Sequence, residues 1–348
     1  MSLNWDVFDS AALTGVINRP LTTQFENEPT VGERIAPLVD VQSREVKVSV
    51  RDVHAFGKGQ FRAPGATPPL YEPKLELREE TIELAILSEQ HRIKDEDYLA
   101  LRSSDENYQK KAGLSIVERG NILAIRNRRL TESLRWDAFS GTAVITYPTG
   151  AQLEVDYGIP TDSASVDWSD HANSDPIADI KRWQLLPANA VGHYGLKIHL
   201  SSEQWEDLIQ SQSILDKLTG SDRGLAVVKK EDVQALVREG TEFVITDAGY
   251  RAEGTGIERG LGSNTPYLPA GKVLVTTNYT IEGERIADMP NGQVLVSTGY
   301  NQVAIRQGPQ AEVLLHHESK THFLRYESAR IPRVHHPEAF VYADTTGA

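Results

Sequence analysis

In "VQSREVKVSVRDVHAF" the residues Val46, Val48 and Val50 alternate with Lys47, Ser49 and Arg51. That is the two-residue period of a strand with one face turned inward. A second alternating run, "KLELREETIELAIL", carries Leu75 and Leu77 and then Ile82, Leu84 and Ile86. The two runs predict a hairpin. Between them stands "FRAPGATPPLYEPKLEL", Phe61 to Leu77, with prolines at 64, 68, 69 and 73. The predicted hairpin therefore has a long, stiff tip with too few local apolar contacts to order itself.

The period changes after Asp105. From there to about Phe139 the chain has no proline, and Ile116, Leu123, Leu130 and Leu134 follow at spacings of seven, seven and four, one narrow face of a helix. Asp105 and Glu106 suit its positive N-terminal end. A helix of about 30 residues would run roughly 45 Å, longer than one small domain needs, so it reads as a spine connecting parts. "GTAVITYPTGAQLEVDYGIP" predicts a second hairpin, with Pro148-Thr149-Gly150 as its turn. Ahead of both hairpins, residues 1–40 mix short apolar pieces with prolines at 20, 29 and 37, an extended arm containing one short helix.

From about Gly192 to Pro309 the elements mix. "YGLKIHLS", "TEFVITDA", "GKVLVTT" and "GQVLVST" read as strands. "SSEQWEDLIQSQSILDKL" reads as one amphipathic helix opened by Ser201 or Ser202, and "KKEDVQALV" as a shorter one. Ser174 or Asp175 with Pro176 marks a further helix start. Strands and helices without strict βα alternation predict an α+β class. The end of the chain is again strand-rich and is expected to pair with the hairpin around Tyr147 to Tyr157.

Length and charge narrow what such a chain does. At 348 residues it can hold about two domains. Its 36 Lys and Arg against 49 Asp and Glu give a net charge of −13, which repels phosphate backbones and argues against sequence-specific nucleic-acid binding. With no cysteine, disulfides, thiolate metal sites and cysteine nucleophiles are excluded. The first twenty residues lack the basic start and apolar run of a secretory signal, and no segment approaches about 18 uninterrupted apolar residues. The chain is expected to be made in the cytoplasm, to stay there or in a larger assembly, and to have no membrane partner.

Candidate chemistry is sparse. "GTGIERGLGS" carries Gly254, Gly256, Gly260 and Gly262, but Arg259 stands where a dinucleotide fingerprint needs its third glycine, so it reads as a surface loop. "HHESKTHF" departs from the zinc-protease helix, since His317 and His322 are five apart and that motif needs four. A strand would put His316, Glu318 and His322 on one face, with His335 and His336 later in the chain, which keeps a metal-dependent hydrolase using the His316–His336 cluster as a remote competitor. Glu79-Glu80 and Asp95-Glu96-Asp97 read as a solvated acidic face. No catalytic residue, cofactor or metal site is nominated, and no enzymatic activity is expected.

The order of parts is more informative. "FRAPGATPPLYEPKLEL", "GTAVITYPTGAQLEVDYG", "YLPAGKVLVTTN" and the final "HHPEAFVYADT" resemble stretches of the tailed-phage major capsid proteins, specifically the lambda-type major capsid protein E family. The likeness spans nearly the whole chain in dispersed residues. It implies the tailed-phage major capsid fold, shared with encapsulins and the herpesvirus capsid floor. Residues 1–40 would be the N-terminal arm and 41–92 the extended loop. Residues 93–185 with 310–348 would form the peripheral domain bearing the spine helix, and 186–309 the axial domain.

The resemblance further implies a structural subunit that self-assembles into hexamers and pentamers of an icosahedral head enclosing double-stranded DNA. Scaffolding, portal and decoration proteins are the implied partners. The location would be the virion capsid, assembled in the host bacterial cytoplasm. An encapsulin-like nanocompartment is the competitor within the fold. Inter-subunit contacts are expected at the hairpin tip, from Lys58, Phe61, Arg62, Pro64, Pro68, Pro69, Tyr71 and Pro73. Prolines restrict a free finger, so less entropy is lost when it lies on a neighbour. Some relatives crosslink a lysine to an asparagine; Lys58 lies near the tip, but no asparagine is marked as its partner, and the bond is not expected. No long coiled coil precedes residue 1, so a fused scaffolding segment is not expected either.

Overall fold

A computed structural model of the chain describes residues 10–17, 29–51, 77–147, 150–219, 228–251, 264–281, 283–299, 302–316 and 321–347. The chain begins with helices α1 (Ser10–Ile17) and α2 (Val31–Ile35) and strands β1 (Leu38–Asp40), β2 (Glu45–Arg51), β3 (Leu77–Glu83) and β4 (Ala85–Arg92). Helices α3 (Asp95–Leu101) and α4 (Glu106–Phe139) follow, then β5 (Thr142–Thr146), β6 (Gln152–Asp156), β7 (Thr161–Ser163) and α5 (Pro176–Val191). Next come β8 (Lys197–Leu200), α6 (Ser202–Gln210), α7 (Gln212–Thr219), α8 (Lys230–Leu236) and β9 (Glu242–Ile245). The short strands β10 (Gly249–Arg251), β11 (Asn264–Pro266), β12 (Lys272–Thr276), β13 (Thr280–Ile281), β14 (Glu284–Arg285) and β15 (Ala287–Asn291) lead to β16 (Gln293–Gly299) and β17 (Gln302–Gln307). The chain closes with β18 (Gln310–His316), β19 (Thr321–Arg330), β20 (Arg333–Val334) and β21 (Phe340–Asp344).

Two compact units share these elements, one of residues 1–47, 81–135 and 288–333, the other of residues 48–80, 136–287 and 334–348. In the first, β19 pairs along its length with β4 on one side and β18 on the other, both antiparallel. β15 joins at Arg330, and β1 runs parallel to β15. Helix α4 covers one face of this sheet. Its Ile116 and Leu123 are buried with Leu324 and Tyr326 of β19, Ala311 of β18 and Leu13 and Ile17 of α1. Gly120 permits the close approach: a Cβ there would stand 2.2 Å from the Ile17 side chain. Thr14 fixes α1 in register, its hydroxyl donating to the Ala311 carbonyl (3.2 Å) and accepting the Ala311 N–H (2.9 Å).

The spine helix forms where the apolar spacing predicts it and, at 34 residues, spans about 51 Å. Of the predicted face, Ile116, Leu123 and Leu134 are buried but Leu130 is exposed. Around Leu130 the inward positions are taken by Asn127, Thr131 and Glu132, buried polar groups that the apolar count does not see.

In the second unit a five-stranded sheet runs in the order β7-β21-β12-β8-β9, with parallel pairs at both edges. Alternate residues on one face (Ile198, Leu200, Phe243, Val273, Val275, Val341, Ala343) pack against α5 through α8 by Ile177, Ile180, Trp183, Leu208, Ile214 and Val233. On the opposite face Phe340 stacks on Phe139 at 5.5 Å. The class is α+β, as predicted. The long amphipathic helix is instead two, α6 and α7, because Ser211 adopts an extended backbone and its buried hydroxyl donates to the Ser174 carbonyl at 2.9 Å. Asp175, as predicted, caps α5 by accepting the Ala178 N–H at 3.3 Å.

The hairpin at 142–156 forms as expected, with Gly150 at φ 83° in its turn. Its expected pairing with the C-terminal strands does not occur: β21 pairs with β7 and β12, and among the described residues β5 and β6 pair only with each other. The parallel register Tyr342↔Thr161 gives that edge of the sheet to the three residues that follow the hairpin.

His199 lies within this sheet, fully buried, with an edge contact to Trp136 (6.4 Å) and a stacked one to Tyr279 (6.3 Å). Among the described residues neither ring nitrogen has a hydrogen-bond partner. Burial first, and then the Lys197 charge, depress its pKa to about 3, with Glu242 opposing. The unfolded chain takes up a proton near pH 6.5 that the folded chain refuses, so this residue lowers stability as pH falls from about 6.5 toward 3, by at most about 1.4 kcal/mol per pH unit. Asp137, pushed up to about 6 by burial, acts in the opposite direction between about pH 6 and 4. His199→Leu is therefore expected to flatten the acid limb. From pH 7 to pH 4.5 the urea midpoint should fall less, or rise more, in the variant than in the native chain; an unchanged shift would refute the assignment.

Candidate functional site

The segment from Thr30 to Asp40 is held by a buried polar cluster. "TVGE" at 30–33 is a capping box: the Thr30 hydroxyl accepts the Glu33 N–H, and the Glu33 carboxylate accepts the Thr30 N–H at 3.2 Å. Glu132 of α4, almost fully buried, accepts the Thr30 hydroxyl at 2.7 Å and the Gly32 N–H at 2.9 Å. Its other partner is Arg135, equally buried, at 3.1 Å, and Arg135 also donates to the Ala36 carbonyl at 2.9 Å. Glu33 receives two hydrogen bonds from Arg128, at 3.1 and 3.0 Å.

Two carboxylates and two guanidiniums thus balance in charge, and each Glu132 oxygen is occupied. Burial would raise the Glu33 carboxyl, but the Arg128 bonds and the charges of Arg128 and Arg135 hold it below its ordinary value. Burial lowers the Arg135 guanidinium, opposed by Glu132 and Glu33. Gly32 is required by contact rather than by backbone angle, since a Cβ there would stand 2.6 Å from a Glu132 oxygen.

A second relay continues the same attachment. Asp40 of β1 accepts from Asn291 of β15 at 2.8 Å, and Asn291 accepts from Arg330 of β19 at 3.1 Å. Arg330 reaches Thr131 of α4 at 3.3 Å, and Ser328 donates to Asn127 at 3.1 Å. Burial lowers the Arg330 guanidinium to about 10, and the neighbouring Arg135 charge adds to the effect. Residues 30–40 are thereby fastened to both the spine helix and the sheet.

The expected contact residues Lys58, Phe61, Arg62, Pro64, Pro68, Pro69, Tyr71 and Pro73 lie outside the described residues. Strands β2 and β3, which flank that stretch, pair with each other, and the Leu84 N–H donates to the Arg44 carbonyl at 2.8 Å at their base. The glycine-rich loop at 254–262 also lies outside the described residues.

For the histidine cluster, His317 lies outside the described residues, and His322 stacks on Tyr98 at 3.9 Å. Among the described residues no three His, Cys, Asp or Glu side chains gather to hold a metal ion, and no helix is long and apolar enough to cross a membrane. A cavity of about 650 Å³ in the second unit is lined by Arg182, Lys272, Asp162, Asp344, Tyr342 and several serines. Its cations are engaged: Arg182 pairs with Asp162 at 3.2 Å and Lys272 with Asp344.

The family model described as phage major capsid protein E matches residues 58–305. Among solved structures, the chain is similar to a putative capsid protein of a prophage of E. coli CFT073, at 15% identity and TM-score 0.57 over 97% of this chain and 98% of that one. It is also similar to a phage-related protein from Bordetella bronchiseptica RB50, at 12% identity and TM-score 0.53 over 97% of each chain. At such identities the likeness is one of fold. No curated protein matches the sequence.

Proposed function

The chain belongs to the phage major capsid protein E family, and from that membership we propose that it self-assembles into the hexamers and pentamers of an icosahedral head enclosing double-stranded DNA. It is a structural major capsid protein with the fold of phage capsid subunits. The family match over residues 58–305 carries the reading and favours a phage head over a nanocompartment.

In the proposed arrangement residues 1–40 act as arm and 41–92 as the extended loop that reaches a neighbour. Residues 93–185 with 310–348 are assigned from sequence to the peripheral part and 186–309 to the axial part at capsomer centres; the two compact units draw the boundary differently, with 288–309 beside β18 and β19 and 334–348 beside β8, β9 and β12. The latch at Glu132 supports the first assignment, because it fixes where the arm leaves the body. The net charge of −13 supports containment of DNA without tight binding to the wall. Portal and decoration proteins, and a scaffold that directs closure the chain can also reach by itself, complete the proposed partners, and assembly takes place in the host cytoplasm. Electron microscopy of the purified chain under assembly conditions is expected to show closed shells, and a field of monomers alone would overturn the proposal.

A further inference from the structure

Hairpin β16–β17 presents an unusual outer face. In its register Leu295 stands opposite Ile305 and Ser297 opposite Val303, so these four side chains share one side. Val294 and Val296 point to the other side and are buried. Two clips fix the hairpin to the sheet of the first unit: the Ser297 N–H donates to Glu312 of β18 at 2.7 Å, and Arg325 of β19 reaches the Leu295 carbonyl at 3.4 Å. A strand pair anchored on one side should be polar on the other. Instead Leu295 is 43% exposed, Val303 67% and Ile305 64%.

We propose that the outer face of β16–β17 is a contact surface for a second copy of this chain, an inference that rests on the shell reading above. Charge favours a copy as the occupant. Two molecules that each carry −13 repel, so they meet best where neither presents charge, and all four outer residues are uncharged. Size agrees. A stable interface engages roughly 20–30 residues a side, so a patch of four cannot hold a dimer in solution. It contributes where many such contacts close together, as in a shell.

The absence of cysteine from the chain makes the test specific, because one introduced thiol is the only one present. Val303→Cys and, separately, Ile305→Cys would be labelled with a maleimide as free subunits and as shells assembled from this chain alone. Labelling is expected to proceed at the rate of a free thiol in the subunit and at least tenfold more slowly in the shell. Equal rates in shell and subunit would overturn the proposal and leave the shell reading intact, as would a thiol already protected in the subunit, which would mean the chain covers its own face. Wild-type protein that forms no shells would overturn both. If one variant fails to assemble, the other carries the measurement. If neither assembles although both subunits melt like wild type, the face is again required for contact between copies.

Discussion

Glu132→Ala is expected to destabilise the first unit by on the order of 3–5 kcal/mol, the cost of removing one partner from a buried ion pair. The substitution leaves the Arg135 charge buried without its nearest carboxylate and strips the Thr30 hydroxyl and the Gly32 N–H of their acceptor. The comparison that decides is Arg126→Ala. That residue also holds a glutamate by two bonds of 2.8 Å, to Glu89, but in an exposed setting where removal should cost no more than about 1 kcal/mol. Equal urea midpoints for the two variants would refute the latch. Gly32→Ala should act through the same contact, because its Cβ would displace the Glu132 carboxylate. Its cost should then largely vanish in the Glu132→Ala background, where the methyl group meets no oxygen.

The latch illustrates what periodicity reads and what it does not. Apolar spacing locates the spine helix within a residue of each end, because a long unbroken pattern averages over many positions. Alternation places β2, β5 and β6 as well, whereas the single run read from Leu75 to Ile86 is divided between β3 and β4. Long-range polar pairing leaves no such trace. Thr30 and Glu33 are legible as a capping box, yet nothing nearby announces that Glu132, a hundred residues on, closes the same cluster. Leu130 misleads in the opposite sense: it keeps the apolar spacing while Asn127 and Thr131 take the inward positions to meet Ser328 and Arg330.

Topology escapes the sequence in a similar way. Any of the late strands could satisfy the alternation rule, and it is the pairing of β21 with β12 on one side and β7 on the other that places it. The family likeness was legible in the order of the predicted parts and in dispersed stretches, of which "FRAPGATPPLYEPKLEL", "GTAVITYPTGAQLEVDYG" and "YLPAGKVLVTTN" fall within the matched residues 58–305. The outer face of β16–β17 was hidden for the converse reason. "GQVLVST" reads as an ordinary strand, and the exposure of Leu295 appears only once Val294 and Val296 are seen to take the buried side.

Removal of residues 57–73, with the strands rejoined by an Asn-Gly turn, is expected to abolish shells while leaving both units folded. The two sheets and the helices that pack on them begin and end outside that stretch, so thermal melting and circular dichroism should match the intact chain. β2 and β3 still pair, and the Arg44–Leu84 bond still closes their base. What is lost is the stretch with Pro64, Pro68, Pro69 and Pro73 that is proposed above to reach a neighbour; prolines restrict a free chain and so lower the entropy lost on docking. If the finger lies on its own subunit, the deletion should lower the melting temperature and shells should still form. If it lies on a neighbour, the melting temperature should hold and shells should disappear. Proline within a single folded domain gains little from such length, whereas between subunits each restricted residue favours assembly, so the second outcome is the expected one.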